Sequence, residues 1–296
     1  MRGLRKVYGA TTAVDDVSFS VGPGQIVGIL GPNGSGKTTT VECLEGLRRP
    51  DGGHVRILGL DPRTQVSALR RRIGCQLQDA ALPDRLRVGE AIRLFAAVGG
   101  HRVDVDGLLD EWGLREKRTA PFGSLSGGQR QRLFVALALV NDPELVFLDE
   151  MTTGLDPVAR RDAWRLIERV RALGAAIVLV THFMDEAERL CDRLVVLRDG
   201  VVVAEGTPAE LVHRHGGGVT ASFTSDLPLS AFEGLPGVRG VRRHGGTVEV
   251  TGEPAALLRL GHLLVSGDRV PNDLVVRQAT LEDAYIGLVT PRDGDR

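Results

Sequence analysis

Residues 31–39 read GPNGSGKTT, which fits Gly-x-x-x-x-Gly-Lys-Thr at Gly31, Gly36, Lys37 and Thr38. Glycines let such a loop curl until successive backbone N–H groups converge, and the start of a following helix adds a favourable dipole. That is a seat for phosphate. Lys37 is placed to reach the β and γ phosphates of a nucleoside triphosphate, and the Thr38 hydroxyl to ligate Mg2+. Asp149 and Glu150 close an apolar run, LVFL, at 145–148. An aspartate at the carboxyl end of a parallel strand beside a phosphate loop can hold Mg2+ through water, and the next carboxylate can polarise a water for attack on the γ phosphate. The alternative is two acids that simply end a strand. His182, after AIVLVT, either reaches the γ phosphate from the neighbouring strand or serves as a loop residue or helix cap. Tyr8 either stacks on an adenine or packs as a surface tyrosine.

A second anion seat lies much further along. LSGGQRQR at 125–132 puts a serine and two glycines at the start of a helix-like run, so its backbone amides can also meet an anion. It cannot serve the same phosphates from the same side, because the first loop already wraps one face of the triphosphate. The economical arrangement is a two-fold dimer in which Ser126, Gly127 and Gly128 of one chain cap the nucleotide held by the other. Such a cap stabilises the transferring phosphoryl group in trans and makes assembly depend on nucleotide.

These groups need a scaffold that gathers strand ends and helix starts. Gln25–Leu30, Leu145–Asp149 and Ala175–Thr181 are short apolar runs that read as buried strands. Helical spacing over 36–47 and over 158–173, the latter stopped by Gly174, supplies crossovers. Strands alternating with helices predict an α/β fold with a mostly parallel sheet covered on both faces. Residues 82–139 show several helix-like runs and no clear strand, which predicts a helical insertion. Arg193–Gly206 predicts a hairpin turning at Asp199-Gly200, and Thr207 with Pro208 the cap and first turn of a short helix. Beyond HGGG at 215–218 the tail predicts a small α+β domain without a catalytic motif: a hairpin turning at Gly245-Gly246, a helix over 254–264, and a last helix opened by a Thr280–Asp283 capping box. Arg70–Arg72 reads as a solvated helix face, and Trp112 and Trp164 as packing.

Length and composition narrow the class. The 296 residues suit about two domains at roughly 150 each. A net charge of −1 gives no support for a basic nucleic-acid-binding chain. Three scattered cysteines, in no metal-ligand spacing, fit a reduced cytosolic compartment. No signal-peptide core and no long apolar run is present, so the chain is expected to be soluble by itself.

In order and spacing, the phosphate loop, LSGGQ, LVFLDE, TTGLDP and VTH resemble the ATP-binding subunit of an ABC transporter over about residues 2–215. The resemblance implies a P-loop NTPase (RecA-like) core with antiparallel β and helical subdomains, the helical one at about 82–140. It places a nucleotide-binding domain at 1–215 and an accessory α+β domain at 218–296. It assigns Gly31, Asn33, Gly34, Ser35, Gly36, Lys37, Thr38 and Thr39 to the Walker A loop, Asp149 to the magnesium position and Glu150 to the catalytic base. Tyr8 becomes the adenine-stacking aromatic and His182 the switch histidine. Gly154-Leu155-Asp156 match the dimer-contact D-loop, and Ser126, Gly127, Gly128 and Gln129 the trans signature. The Q-loop glutamine falls in IGCQLQDA, where Gln76 and Gln78 both qualify; Gln78 is taken by its distance from Ile73-Gly74 as the catalytic and metal-side residue. Met151 stands where the family commonly has proline, a departure that could loosen that turn but removes no reacting group. The start, MRGLRKVYG, implies either a short first edge strand or a beginning further upstream.

VTHFMDEAERLCDRLVVLRDG with a tail ending ATLEDAYIGL is similar to drug-resistance exporters of the daunorubicin type. The expectation is an ATPase subunit that dimerises around Mg·ATP and energises a separately encoded permease for drugs, antibiotics or other hydrophobic compounds. It would be cytoplasmic, held on the inner membrane face through that permease, and would bind no nucleic acid. Soluble family members acting on ribosomes or DNA usually carry two cassettes or long coiled-coil insertions, and this chain has neither. A regulatory module without turnover is disfavoured by Lys37, Asp149, Glu150 and His182.

Overall fold

A computed structural model describes residues 1–76, 81–100 and 102–290, in two compact units that divide between 205 and 206. The first unit opens with β1 (Arg2–Tyr8), β2 (Thr11–Val17), β3 (Ile26–Leu30) and α1 (Lys37–Leu44). After β4 (Gly52–His54) come α2 (Val66–Arg70), β5 (Ile73–Gln76) and the helices α3 (Val88–Gly99), α4 (Val105–Glu111) and α5 (Gly127–Leu139). β6 (Leu145–Asp149), α6 (Pro157–Ala172), β7 (Ala176–Val180), α7 (Met184–Leu190), β8 (Arg193–Arg198) and β9 (Val201–Gly206) complete it.

Six strands form one sheet in the order β5-β6-β7-β3-β8-β9, and the pairs β5–β6, β6–β7, β7–β3 and β3–β8 are parallel. β3, β6 and β7 are buried along their whole length, as parallel strands covered on both faces must be. The order matters for chemistry. It sets β3, with the phosphate loop at its carboxyl end, against β7, and sets β7 against β6, so Asp149 pairs with Val180 at adjacent strand ends.

A second, antiparallel sheet has the order β2-β1-β4. The first strand is therefore central, not the edge that was expected, because Gly52–His54 pairs with it through Arg5 and Gly52. Leu4, Val14 and Val17 from this sheet pack with Val27, Phe147 and Val178 of the large one in a single core. Each such buried side chain contributes about 1.5–3 kcal/mol through removal from water. The expected helical insertion is present as α3 to α5. Of the run Arg70–Arg72, Arg70 and Arg71 are exposed as expected, while α2 ends at Arg70 and Arg72 leaves the helix to bind Glu144 through Nε at 2.5 Å and Nη2 at 3.0 Å.

The second unit begins with α8 (Pro208–His215), so the helix expected to close the first domain lies with the tail, where it packs on the last helix. β10 (Val219–Thr224), α9 (Ser230–Glu233), β11 (Val238–His244), β12 (Thr247–Gly252), α10 (Pro254–Ser266), β13 (Val275–Gln278) and α11 (Leu281–Val289) follow. Its antiparallel sheet, β11-β12-β10-β13, buries Phe223 edge-to-face on Phe232, centroids 5.5 Å apart, under Leu260 and Leu264. The Thr280–Asp283 capping box opens α11 with reciprocal bonds of 2.8 and 3.2 Å.

Candidate active site

The loop between β3 and α1 is shaped by backbone that only glycine adopts freely. Gly36 has φ 94, and a Cβ there would stand 2.5 Å from the Ala13 carbonyl oxygen. Gly34 has φ 79, and a Cβ there would meet nothing within 4 Å, so the mouth of the loop is open. Asn33 and Thr38 are exposed and Thr39 half-buried, while Gly31, Ser35 and Lys37 are buried. Lys37 folds back over the loop, its Nζ donating to the Gly31 carbonyl at 2.7 Å and the Pro32 carbonyl at 3.0 Å. Burial lowers the pKa of this ammonium, and Glu150 and then Asp149 oppose that shift. The Ser35 hydroxyl is buried without a hydrogen-bond partner among the described residues. A buried orphan hydroxyl, an open mouth and an inward ammonium together suit an oxyanion guest.

Beside the loop stand two strand ends. Asp149 closes β6 and is buried. Glu150 follows with φ 48, in the left-handed region that a side chain adopts only when its surroundings hold it there. Its N–H donates to the Val180 carbonyl at 2.9 Å, and the Thr153 N–H closes the turn onto the Glu150 carbonyl at 3.1 Å. Met151 is buried within this turn, beside those two backbone bonds. His182 Nδ1 lies 3.5 Å from Glu150 Oε1; the imidazole is 45% exposed and the carboxylate 14%. The His182 ring rests on Phe183 at 4.1 Å. Thr38 and Asp149 offer the hard oxygen donors that Mg2+ takes. Among the described residues no three His, Cys, Asp or Glu side chains cluster to hold a metal.

The second helix start is built by its own capping box. Ser126 Oγ accepts from the Gln129 N–H at 3.3 Å, and Gln129 Oε1 accepts from the Ser126 N–H at 3.0 Å. Arg130 pins the approach by donating to the Leu125 and Gly123 carbonyls. A Cβ on Gly127 or Gly128 would meet nothing within 4 Å, so the start of α5 faces open space. Gly128 and Leu155 line one small cavity of about 40 Å³, which brings the signature beside the D-loop. Asp156 is turned onto its own helix, accepting from the Val158 and Ala159 N–H groups at 2.9 and 3.0 Å. Those bonds hold its carboxyl below the usual range, Ala159 first.

Lys37, Asp149, Glu150 and His182 are thus gathered at one end of the sheet. Tyr8 stands at the end of β1, with Lys6 Nζ 5.3 Å and the Arg48 guanidinium 5.4 Å from its ring centroid. Gln78 lies outside the described residues; Gln76 is buried at the end of β5. One residue escaped the sequence reading. Trp164 is buried as expected, yet it also donates to Glu186, a fully buried acid on α7. The spacing of MDEAERL gives no sign of that burial.

Comparison with known proteins adds the following. A sequence profile described as ABC transporter matches residues 14–153. The chain is 44% identical to a Nod factor export ATP-binding protein I of Ralstonia nicotianae, over 97% of this chain and 92% of that one. It is 40% identical to the doxorubicin resistance ATP-binding protein DrrA of Mycobacterium tuberculosis, over 73% of this chain and 67% of that one. A solved ATP-binding subunit of an ABC transporter is 31% identical over 73% of this chain and 92% of its own, with TM-score 0.66. An ATP-binding cassette of an ABC transporter in its ADP conformation shares the fold at 24% identity and TM-score 0.64, over 71% of this chain and 90% of its own.

Proposed function

This chain belongs to the ABC transporter family as an ATP-binding, ATP-hydrolysing subunit, and on that premise we propose that it turns over Mg·ATP on the Gly31–Thr39 loop to drive a separately encoded export permease. Lys37 exchanges its two carbonyl bonds for β- and γ-phosphate oxygens as the nucleotide enters. Glu150 takes the proton of the attacking water, and His182 steadies that carboxylate and the γ phosphate. Thr38 and Asp149, with Gln78, would hold Mg2+, which neutralises charge on the phosphate oxygens when bound. Tyr8 stacks on the adenine. Ser126, Gly127, Gly128 and Gln129 of a second copy cap the γ phosphate, with Asp156 at the contact between copies. The observation that carries this reading is the 3.5 Å approach of His182 to Glu150 at the strand ends beside the buried Lys37.

Export is proposed because the relatives carry the names Nod factor export and doxorubicin resistance, and the cargo is a drug, antibiotic or other hydrophobic compound. Among the described residues no helix is long and apolar enough to cross a membrane, so the path across the bilayer belongs to the permease. The chain then sits on the inner membrane face, and nucleic acid has no part. A groove of about 460 Å³ in the first unit, with Leu47, Phe95 and Val98 exposed along it, suits an apolar segment of that permease. The second unit is an accessory domain.

Glu150→Gln is expected to keep ATP binding and to lower steady-state hydrolysis by about 10² to 10⁴, the usual range for a lost general base. Turnover within a few-fold of wild type would remove Glu150 from this role.

A further inference from the structure

Glu186 has no part in the chemistry above, yet it sits where two of its segments meet. It lies in the first turn of α7, one turn past His182, and is fully buried. Its Oε1 accepts from Trp164 Nε1 at 2.9 Å, a bond closed to solvent. Burial raises the pKa of this carboxyl, opposed by the neighbouring Thr181, Thr152 and Trp164 side chains, while its Oε2 and the Thr152 hydroxyl are buried without a hydrogen-bond partner among the described residues. Thr181 immediately precedes His182 and also accepts from the Phe183 N–H at 3.0 Å. Thr152 is fully buried in the turn that joins Glu150 to Asp156. Trp164 projects from α6, the helix that Asp156 caps.

Further ties bind α6 to α7 around this centre. The Arg160 guanidinium lies 3.9 Å from the Phe183 ring centroid and 3.6 Å from Asp185, and Arg189 bridges to Glu168 at 3.0 Å. Ion pairs at the surface contribute little. A buried bond to a carboxyl is different, because removing either partner strands the other. An apolar side chain of similar volume could pack α7 onto α6 without that hazard, and a polar network held in its place specifies one geometry.

We propose that Glu186 is a positioning residue for hydrolysis: through its bond to Trp164 it holds the helix that follows His182 and the helix behind the D-loop as one body. The inference rests on the reading of Glu150 and His182 as the hydrolytic pair. Glu186 touches no nucleotide, and its effect is confined to the alignment of those two side chains.

The test is steady-state ATPase of the full chain, with ATP affinity measured separately by titration of a fluorescent ATP analogue. Glu186→Ala is expected to lower kcat about tenfold or more, since a misplacement on the order of 1 Å already costs that much or more. ATP affinity is expected to stay within about threefold, because the Gly31–Thr39 loop is untouched. Glu186→Gln keeps an acceptor for the indole and is expected to restore kcat to within about threefold of wild type. Trp164→Phe keeps the ring and loses only the donor, so it remains readable should Glu186→Ala fail to fold. It is expected to lower kcat on its own, and combined with Glu186→Ala to cost no more than Glu186→Ala alone. The proposal is overturned if Glu186→Ala and Trp164→Phe both keep kcat, or if kcat and ATP affinity fall together without rescue by glutamine. Glu150→Gln, run alongside, separates the two levels. If it keeps its turnover, the hydrolytic reading fails; if it loses turnover while the Glu186 and Trp164 variants do not, only the positioning role fails.

Discussion

Lys37 directs its ammonium at two loop carbonyls in a buried setting, so a phosphate need only replace partners that are already there. Lys37→Ala is expected to weaken ATP binding by about 10- to 100-fold, the worth of a charge-assisted bond, measured by calorimetry. An unchanged affinity would take Lys37 out of the cradle. Glu45 tests electrostatics beside the site. It caps the carboxyl end of α1 and is buried; burial, then Asp149 and Glu42, push its pKa from 4.5 to about 7 against the opposing Cys75 thiol. Between those values the folded chain keeps a proton that the unfolded chain releases, so stability falls as pH rises from 4.5 to 7 and stays lowered above. The loss is at most about 3 kcal/mol. Glu45→Gln is expected to flatten that slope and to raise the melting temperature at pH 8; identical slopes in both proteins would sink the idea. Lys37 and Asp149 were legible in the sequence because backbone motifs demand them. Glu45 and Glu186 were not, since an acid on a short helix reads as solvent-facing until neighbouring elements cover it.

The start of α5 is an element with open space beside it, since nothing stands within 4 Å of a Cβ placed on Gly127 or Gly128. If it caps a second copy's nucleotide, the Glu150→Gln protein is expected to dimerise in Mg·ATP by light scattering. Ser126→Arg is expected to abolish that dimer by filling the space of the γ phosphate. Monomer binding of ATP should survive, because Lys37 and its loop are untouched. Undiminished dimerisation of the arginine variant would leave the capping box as an ordinary helix start. The strands β3, β6 and β7 could be read beforehand because each is an unbroken apolar run. β4 and β5 could not: GGH and IGCQ gain their extended form from the strands they pair with, and pairing partners are invisible to local spacing. The strand order that sets Asp149 beside Val180 was likewise beyond the sequence, since adjacency in a crossover sheet depends on which helix covers which face.

At the scale of the molecule the chain divides after Glu205, because α8 packs on α11 within the second unit. The gathered strand-end groups and the phosphate loop all lie before His182 or at it. A chain ending at Gly206 is accordingly expected to fold and to bind ATP within about threefold of the full protein. A folded truncation without ATP binding would show that the tail contributes to the site. The boundary expected from HGGG fell later because glycines mark a flexible joint, whereas compactness follows the packing of Leu211, which is buried. The open start of α5 carries a consequence for a mixed population of chains. In a two-fold assembly each chain lends that helix start to its neighbour, so a defective copy spoils a site it does not itself hold. In a cell making equal amounts of sound and damaged chains, only about a quarter of the pairs would be sound throughout.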